Sequence, residues 1–367
     1  MAQNRRGCGC TVTALAILLA VAAAVGFYFF KPWWEKRRAE QPPPASGEEL
    51  RVVVIDVGHG DSILIVAPGG KTVLVDAGMP GTGKKILDAL KRNNVDHLDY
   101  FVATHAHADH IGAADEVFKT VPVGAVLSNG FSNPPDSPKP TKEYATYLKA
   151  LADKGLRQET VEPGQIIELG GGASLRVLAP VQPPIVKDEV LRAGGNEPNA
   201  NSVVMRLVYG GFTMLLAGDA ETITESRLIR DGVSLTADVL KVAHHGSKYA
   251  TSDDLLKRGA YKAAIISVGL DNRYGQPGQD ALNRLKAANV RLYRTDFQGE
   301  ITITTKGKEG DFKIATAREP KANEDVWTGR QPLRDDSARR GFIDFGDLPP
   351  VPKPTPEKTK AKGASGK

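Results

Sequence analysis

Residues 104–112 read THAHADHIG, which packs three histidines and an aspartate into positions 105–110 of a chain that holds seven histidines in 367 residues. Imidazoles are ordinarily scattered, so clustering at this density asks for a chemical cause. The stretch follows LDYFVA (98–103), an apolar run with strand character, and so falls at the C-terminal end of a buried strand, where α/β folds gather their ligands. On an extended end alternate residues share a face, so His105, His107 and Asp109 can converge. A turn at Asp109–His110 then aims the last two at a neighbouring point. Imidazole and carboxylate are borderline donors suited to zinc, manganese or iron, and one strand end carrying four of them can serve two adjacent metals. The bland alternative is a polar loop in which Asp109 caps the next helix. It accounts poorly for four donors in six residues.

Working outward, two further donor groups follow apolar runs. LLAGDA (215–220) puts Asp219 directly after a strand, where a carboxylate can bridge two cations, and KVAHHGS (241–247) puts His244 and His245 after another. With His59 in DVGHGDS (56–62), six of the seven histidines sit at strand ends; His97 stands apart and reads as structural. Residues 51–78 read as three short strands separated by Gly-rich turns. TGKKILDALKRNNV (82–95) has helical spacing, and a further helix is expected at about 141–154. Residues 201–220 read as a hairpin followed by a helix at 221–231. ADVLKVAHHGS (237–247) and YKAAIISVG (261–269) read as buried strands, GQDALNRLKAANV (278–290) as a helix and EITITTKG (300–307) as the closing strand. Mixed strands and helices over this length predict one α/β domain with layered sheets.

Composition is ordinary for a globular chain, 41% hydrophobic and 25% charged. The net charge of +5 is confined to the ends: residues 1–50 contribute +2, residues 346–367 contribute +3, and residues 51–345 balance to zero. The body is therefore not a basic protein, and any affinity for a polyanion has to come from a local patch. Both cysteines, Cys8 and Cys10, precede the apolar segment, which excludes a disulfide or a thiolate metal ligand in the body. Residues 11–30 are twenty positions without a charge, long enough to cross a hydrocarbon core, and KPWW (31–34) supplies an interfacial belt. The segment reads as an uncleaved single-pass anchor rather than a signal peptide, with the body expected outside the cytoplasm. The expected organisation is an anchor region at 1–34, a polar Pro-rich linker at 35–49, a catalytic domain at 50–318, and an extension at 319–367 with a disordered Pro/Lys-rich tail.

THAHADH, LLAGDA and VAHHGS, in that order, resemble the metal motifs of the metallo-β-lactamase fold superfamily. VVVIDVGHGDSILIVAPGGKTVLVDAG (52–78), NANSVVMRL (199–207), HHGSKYATSDDLL (244–256) and ISVGLDNRYG (266–275) narrow the likeness. They resemble the soluble hydrolase domain of ComEC-type DNA-uptake (competence) proteins and their stand-alone relatives over about residues 51–305. The resemblance implies an αββα sandwich with two divalent metal ions, zinc or manganese, at one sheet edge. By position, His105, His107 and Asp219 hold the first ion; Asp109, His110, Asp219 and His244 hold the second, with His245 near the substrate. Asp76 would orient the histidine loop. Asp61 either faces the site or closes a turn. No histidine lies between 111 and 243, so Asn201, Ser202 or water must stand where many superfamily members have a third histidine on the first ion, and that ion is expected to be held more weakly. Asn272, Arg273 and Tyr274 are substrate-side candidates, and Gln276 stands where the resemblance leads one to expect histidine.

Two cations about 3.5–4 Å apart activate a water and stabilise charge on the attacked group, with Asp109 as the proton acceptor. The expected function is metal-dependent hydrolysis of phosphodiesters, DNA among them. The alternatives are hydrolysis of a small ester, a lactone or a cell-envelope phosphodiester, and a non-catalytic, metal-stabilised module tethered to the membrane.

Overall fold

β-Branched and large apolar side chains favour the extended backbone, and the Val-, Ile- and Leu-rich runs separated by Gly-rich turns form strands accordingly. The computed structural model describes residues 45–133, 139–193, 196–270 and 272–330. The anchor segment at 11–30, most of the linker and the Pro/Lys-rich tail lie outside them. Among the described residues no helix is long and apolar enough to cross a membrane.

The first sheet has the order β15-β14-β1-β2-β3-β4-β5-β6. Its strands are β1 (Leu50–Val54), β2 (Ile63–Val66), β3 (Thr72–Val75), β4 (Leu98–Ala103), β5 (Val123–Ser128), β6 (Gln158–Thr160), β14 (Ile301–Thr305) and β15 (Phe312–Thr316). The second has the order β13-β12-β11-β10-β9-β8-β7. It contains β7 (Ile166–Gly170), β8 (Ala173–Ala179), β9 (Val204–Tyr209), β10 (Phe212–Leu216), β11 (Val239–Lys241), β12 (Ala263–Ile266) and β13 (Arg291–Arg294).

The sheets pack face to face. Val52, Val54, Ile65 and Val73 of the first meet Leu175, Met205, Leu207 and Met214 of the second in one buried cluster. The outer face of the first sheet, with Leu74 and Phe101, is covered by Ile86, Leu90, Val117, Phe118 and Tyr147 from helices Gly83–Arg92, Ala114–Thr120 and Lys142–Asp153. Leu240, Ala264 and Ile266 on the far side are covered by Leu228, Leu255, Leu282 and Leu285 from helices Thr222–Arg230, Asp253–Gly259 and Gln279–Ala287. The architecture is the expected αββα sandwich, and each fully buried Leu or Ile contributes about 1.5–3 kcal/mol to holding it.

EITITTKG does not close the sheet. One more strand, β15, pairs antiparallel with β14 and lies at the edge. Its residues are only half-buried, with Lys313 exposed; a charged, partly covered edge discourages pairing with other chains and leaves little hydrophobic signal. Beyond it the chain returns across the second sheet. The Arg294 guanidinium, fully buried, donates to both carboxylate oxygens of Asp296 at 3.0 and 2.7 Å. It also donates to the carbonyls of Val326 and Thr328 at 2.9 and 2.7 Å. Arg330 adds a second cation on Asp296 at 2.8 Å. Residues 326–330 are thereby clasped to the end of β13.

Strands β3 to β6 run parallel, as do β10 to β13. The segments leaving β3, β4, β10 and β11 carry Asp76, His105–His110, Asp219 and His244–His245. The loop after β1 carries His59 and packs against the same place. At Gly60, with φ of +114°, an added Cβ would sit 2.2 Å from the carbonyl oxygen of Asp109, and the next residue, Asp61, donates its N–H to that oxygen at 3.1 Å. Gly60→Ala is therefore expected to destabilise the fold by about 1–3 kcal/mol through strain and collision together. Urea unfolding midpoints measure this, and an unchanged midpoint would contradict the close approach.

Candidate metal centre

The histidine loop changes conformation halfway. His105 and His107 leave β4 in extended chain, and the His105 Nε2 and His107 Nδ1 atoms lie 2.9 Å apart. His107 is then the N-cap of a short helix, Ala108–Ile111, so Asp109 and His110 occupy its first turn. The expectation that Asp109 continues the extended face is corrected accordingly. The helical turn, closed by the N–H groups of His110 and Ile111 on the His107 carbonyl, is what carries Asp109 and His110 to a separate point.

Asp76, fully buried, fixes that turn. One carboxylate oxygen lies 2.7 Å from His110 Nδ1 and accepts the Thr104 hydroxyl at 2.7 Å; the other accepts the Thr104 N–H at 2.8 Å. A carboxylate on Nδ1 holds the Nδ1–H tautomer and leaves the Nε2 lone pair free. Burial pushes the Asp76 carboxyl up, against the pull of His110. Its backbone sits at φ 61°, a strained conformation for a residue with a side chain, and of the kind concentrated at functional sites.

Asp219 leaves β10 facing both histidine groups. Its Oδ1 lies 3.3 Å from His110 Nε2 and 3.6 Å from His245 Nε2. Its Oδ2 lies 3.8 Å from His105 Nε2 and 3.8 Å from His244 Nε2. Asp109 Oδ2 closes the first of these groups at 3.4 Å from His245 Nε2. Donor atoms of Asp109, His110, Asp219 and His245 all lie within 4.8 Å of one another. Three of them, His110 Nε2, Asp219 Oδ1 and His245 Nε2, are buried with no hydrogen-bond partner. Leaving such atoms unpaired costs about 1–3 kcal/mol each, and two lone-pair donors converging on a carboxylate fit a divalent cation. Burial pushes the Asp109 and Asp219 carboxyls up, but the surrounding imidazoles, His110 foremost, outweigh it and hold both well below the usual range. Burial opposes the charge on His245 as well; Asp219 and Asp61 prevail and raise it to about 10.

The paired histidines divide differently from the order expected. His245, not His244, is the ring brought to Asp109, His110 and Asp219. Its Nδ1 lies 2.9 Å from the Ser267 carbonyl, which turns Nε2 inward. His244 lies on the His105 side, with Nδ1 3.8 Å from Glu221 Oε1 and the Asn199 amide nitrogen 3.3 Å from Nε2. The physical reason is the backbone. His244 and His245 are both left-handed, φ 49° and 52°, in a tight turn over Ala243–Gly246, so strand alternation does not apply. Each such residue costs about 1–2 kcal/mol.

The remaining candidates separate in the same way. Asn201 faces away: its amide accepts the Ile185 N–H at 3.0 Å and donates to the Ile185 carbonyl at 2.8 Å. Ser202 does face the site, with Oγ 3.3 Å from His105 Nδ1 and accepting the Asp219 N–H at 3.3 Å. Asp61 pairs at 2.8 Å with Lys241, both fully buried, and its other oxygen lies 3.5 Å from His245 Nδ1. Burial pushes Asp61 up, but Lys241 wins and holds it at about 2. Asn272 closes its own loop, donating to the carbonyls of Gly269 and Gln276 at 2.9 and 2.6 Å. Tyr274, 42% exposed, stacks on His59 with ring centres 4.9 Å apart. Burial, then His245, lowers His59 to about 3. His97 lies apart and exposed, paired with Asp96 at 2.9 Å.

Sequence reasoning missed Lys241, Glu221 and Asn199. Lys241 had a signal, being the one charge inside the apolar run VLKVA (239–243), where burial demands a partner. Asn199 is two positions from the asparagine singled out, and nothing in the sequence separated them.

The chain is similar to several known proteins. The chain is 32% identical over 287 residues to "ComE operon protein 3" of Bacillus subtilis, covering 72% of this chain and 34% of that protein. It is 27% identical over 255 residues to "Competence protein ComA" of Neisseria gonorrhoeae, covering 69% and 32%. The chain thus spans about a third of the length of these relatives. Among solved structures, CmlA, a diiron β-hydroxylase from Streptomyces venezuelae, is 14% identical with a TM-score of 0.44, covering 71% of this chain and 55% of that one. Residues 55–269, the stretch that holds all the clustered donors, match the metallo-beta-lactamase superfamily, and the chain belongs to it.

Proposed function

We propose that this metallo-β-lactamase-fold hydrolase cleaves phosphodiesters, DNA among them, with two divalent cations. The observation that carries the reading is Asp219, whose two oxygens face two different sets of imidazoles. The names of the competence relatives are compatible with a role in DNA uptake. Asp109, His110, Asp219 and His245 would hold one cation, and His105, His107 and Asp219, with His244 beside them, the other. Such a pair supplies Lewis acidity and lets water attack at neutral pH. The protein's own residues do the rest. Asp76 and the Ser267 carbonyl set which nitrogen of His110 and His245 faces inward. Ser202 backs His105 and the Asp219 backbone. Asp109 takes the proton that the attacking water loses as the new P–O bond forms. The ester P–O bond then breaks, and the departing oxygen takes up a proton. The zero net charge of the body favours a second reading, a small ester or envelope phosphodiester that needs no broad basic surface.

Assays of the metal-loaded chain on bis-p-nitrophenyl phosphate, single-stranded DNA, a lactone and nitrocefin test the reaction class. Cleavage of the first two is expected, abolished by Asp219→Ala and nearly so by Asp109→Ala. Chelator-insensitive cleavage, or full activity in Asp219→Ala, would reject the mechanism.

The two cation positions are expected to be unequal, because donor atoms of Asp109, His110, Asp219 and His245 all lie within 4.8 Å of one another, whereas His105, His107 and His244 join no such group among the described residues. Mass spectrometry should find a single metal equivalent after desalting, with a second taken up from added Mn²⁺ and activity rising with it. His107→Ala should raise the Mn²⁺ concentration required, and Asp76→Asn should weaken retention of the tight metal by about 10–100-fold. Two equivalents surviving desalting would contradict this.

Residues 11–30 are proposed as the anchor of an external body. Protease added to intact cells is expected to cut in the linker at 35–49 and release the domain; release from lysed cells alone would reverse the orientation.

A further inference from the structure

His59 belongs to neither group of donors, yet its ring is locked beside them. Tyr274 stacks on one face at 4.9 Å and 26°, and the His245 ring lies at 4.7 Å, tilted by 53°. The backbone is equally confined. A Cβ on Gly269 would come within 2.6 Å of the His59 nitrogen, and the next carbonyl, of Gly60, accepts the Ser267 hydroxyl at 2.7 Å. A side chain held this firmly at the rim of a polar site is preorganised for contact.

The two ring nitrogens differ. Nδ1 is buried with no partner, whereas Nε2 lies 3.6 Å from Asp109 Oδ2, too far for a good hydrogen bond. A buried orphan N–H is rarer and costlier than a buried orphan acceptor, so the ring hydrogen belongs on Nε2. That N–H points to the Asp109 end of the site and lacks a close acceptor there. Gln276 does not supply the same contact, being buried to within 8% with its backbone held by Asn272.

We infer that His59 is a substrate-contact residue whose Nε2–H donates to a non-bridging oxygen of a phosphate group bound beside Asp109, with Tyr274 as the wall that holds the ring. The inference rests on the phosphodiesterase reading for its ligand class. No bond is made or broken at His59; its contribution is orientation and a charge-assisted hydrogen bond.

Inorganic phosphate titrated by calorimetry into the Mn²⁺-loaded, detergent-solubilised full chain tests it. His59→Ala should weaken phosphate binding by about tenfold or more, the usual effect of losing a hydrogen bond to a charged group, with metal content by mass spectrometry unchanged. His59→Gln, a neutral donor of similar reach, should recover much of the loss, and Tyr274→Ala, which removes the ring stacked on His59, should weaken phosphate binding as well. Equal binding by wild type and His59→Ala overturns the contact and leaves the phosphodiesterase reading standing. Metal loss in His59→Ala overturns it in favour of a ligand role. If wild type binds phosphate with the expected His59 dependence but cleaves no phosphodiester, the contact holds and the reaction assignment falls. If wild type binds no phosphate, both fall.

Discussion

One buried carboxylate organises the active edge of this protein. Asp219 is held by its backbone N–H on Ser202 and presents separate oxygens to two sets of imidazoles. An anion in that position is tolerable only where positive charge surrounds it, because desolvating an unpaired carboxylate costs several kcal/mol. Protons on His110 and His245 supply the charge when nothing else does, and cations would compete with them for the same lone pairs. The same balance recurs behind the site, where Asp61 is neutralised by Lys241 and Asp76 by His110. Of these two partners His110 keeps a second nitrogen, Nε2, for the front, whereas the single nitrogen of Lys241 is spent on Asp61 and the Val242 carbonyl.

The sandwich supplies the rigidity that this arrangement needs. Asp76, His244 and His245 all sit at positive φ, conformations that persist only where surrounding structure over-determines them. Here the parallel strands β3, β4, β10 and β11 deliver these residues from a core whose apolar side chains are almost entirely buried. Asn94, Thr251, Ala260 and Asn289 adopt the same conformation at other turns, and no non-glycine residue of the described strands does.

Much of this was legible in the sequence, for reasons that differ by element. The apolar runs of β1 to β4 and β9 to β12 lie buried inside a sheet, and burial leaves an unmistakable signature. The candidate metal donors were legible because four of them crowd into six positions and the others follow strands at conspicuous small-residue turns. The allocation of His244 and His245 was not, since it depends on two consecutive left-handed residues that neither periodicity nor composition reports. The turn expected at Asp109–His110 is present, but that it is helical and begins at Ala108 was not legible, because four residues are too few to show a helical pattern. Asn201 attracted attention beside an apolar strand, yet its amide is consumed by the backbone of Ile185, a contact between chain segments that local sequence does not encode. The edge strand β15 has alternating half-covered positions and so resembles loop as much as strand.

The clasp around Arg294 gives residues 326–330 a mechanical part in the active edge. Besides its bond to Asp296, Arg330 donates its N–H to the Pro277 carbonyl, and Gly329 donates to the Gln279 side chain. These contacts brace the far end of the loop whose near end carries Tyr274. Breaking the brace would strand a buried guanidinium opposite missing carbonyls, so this strap does not come away cheaply. A chain trimmed back to β15 would keep every candidate metal donor and still lose the stiffness of the loop that carries Tyr274. The functional boundary of the domain thus lies beyond the boundary of its sheets.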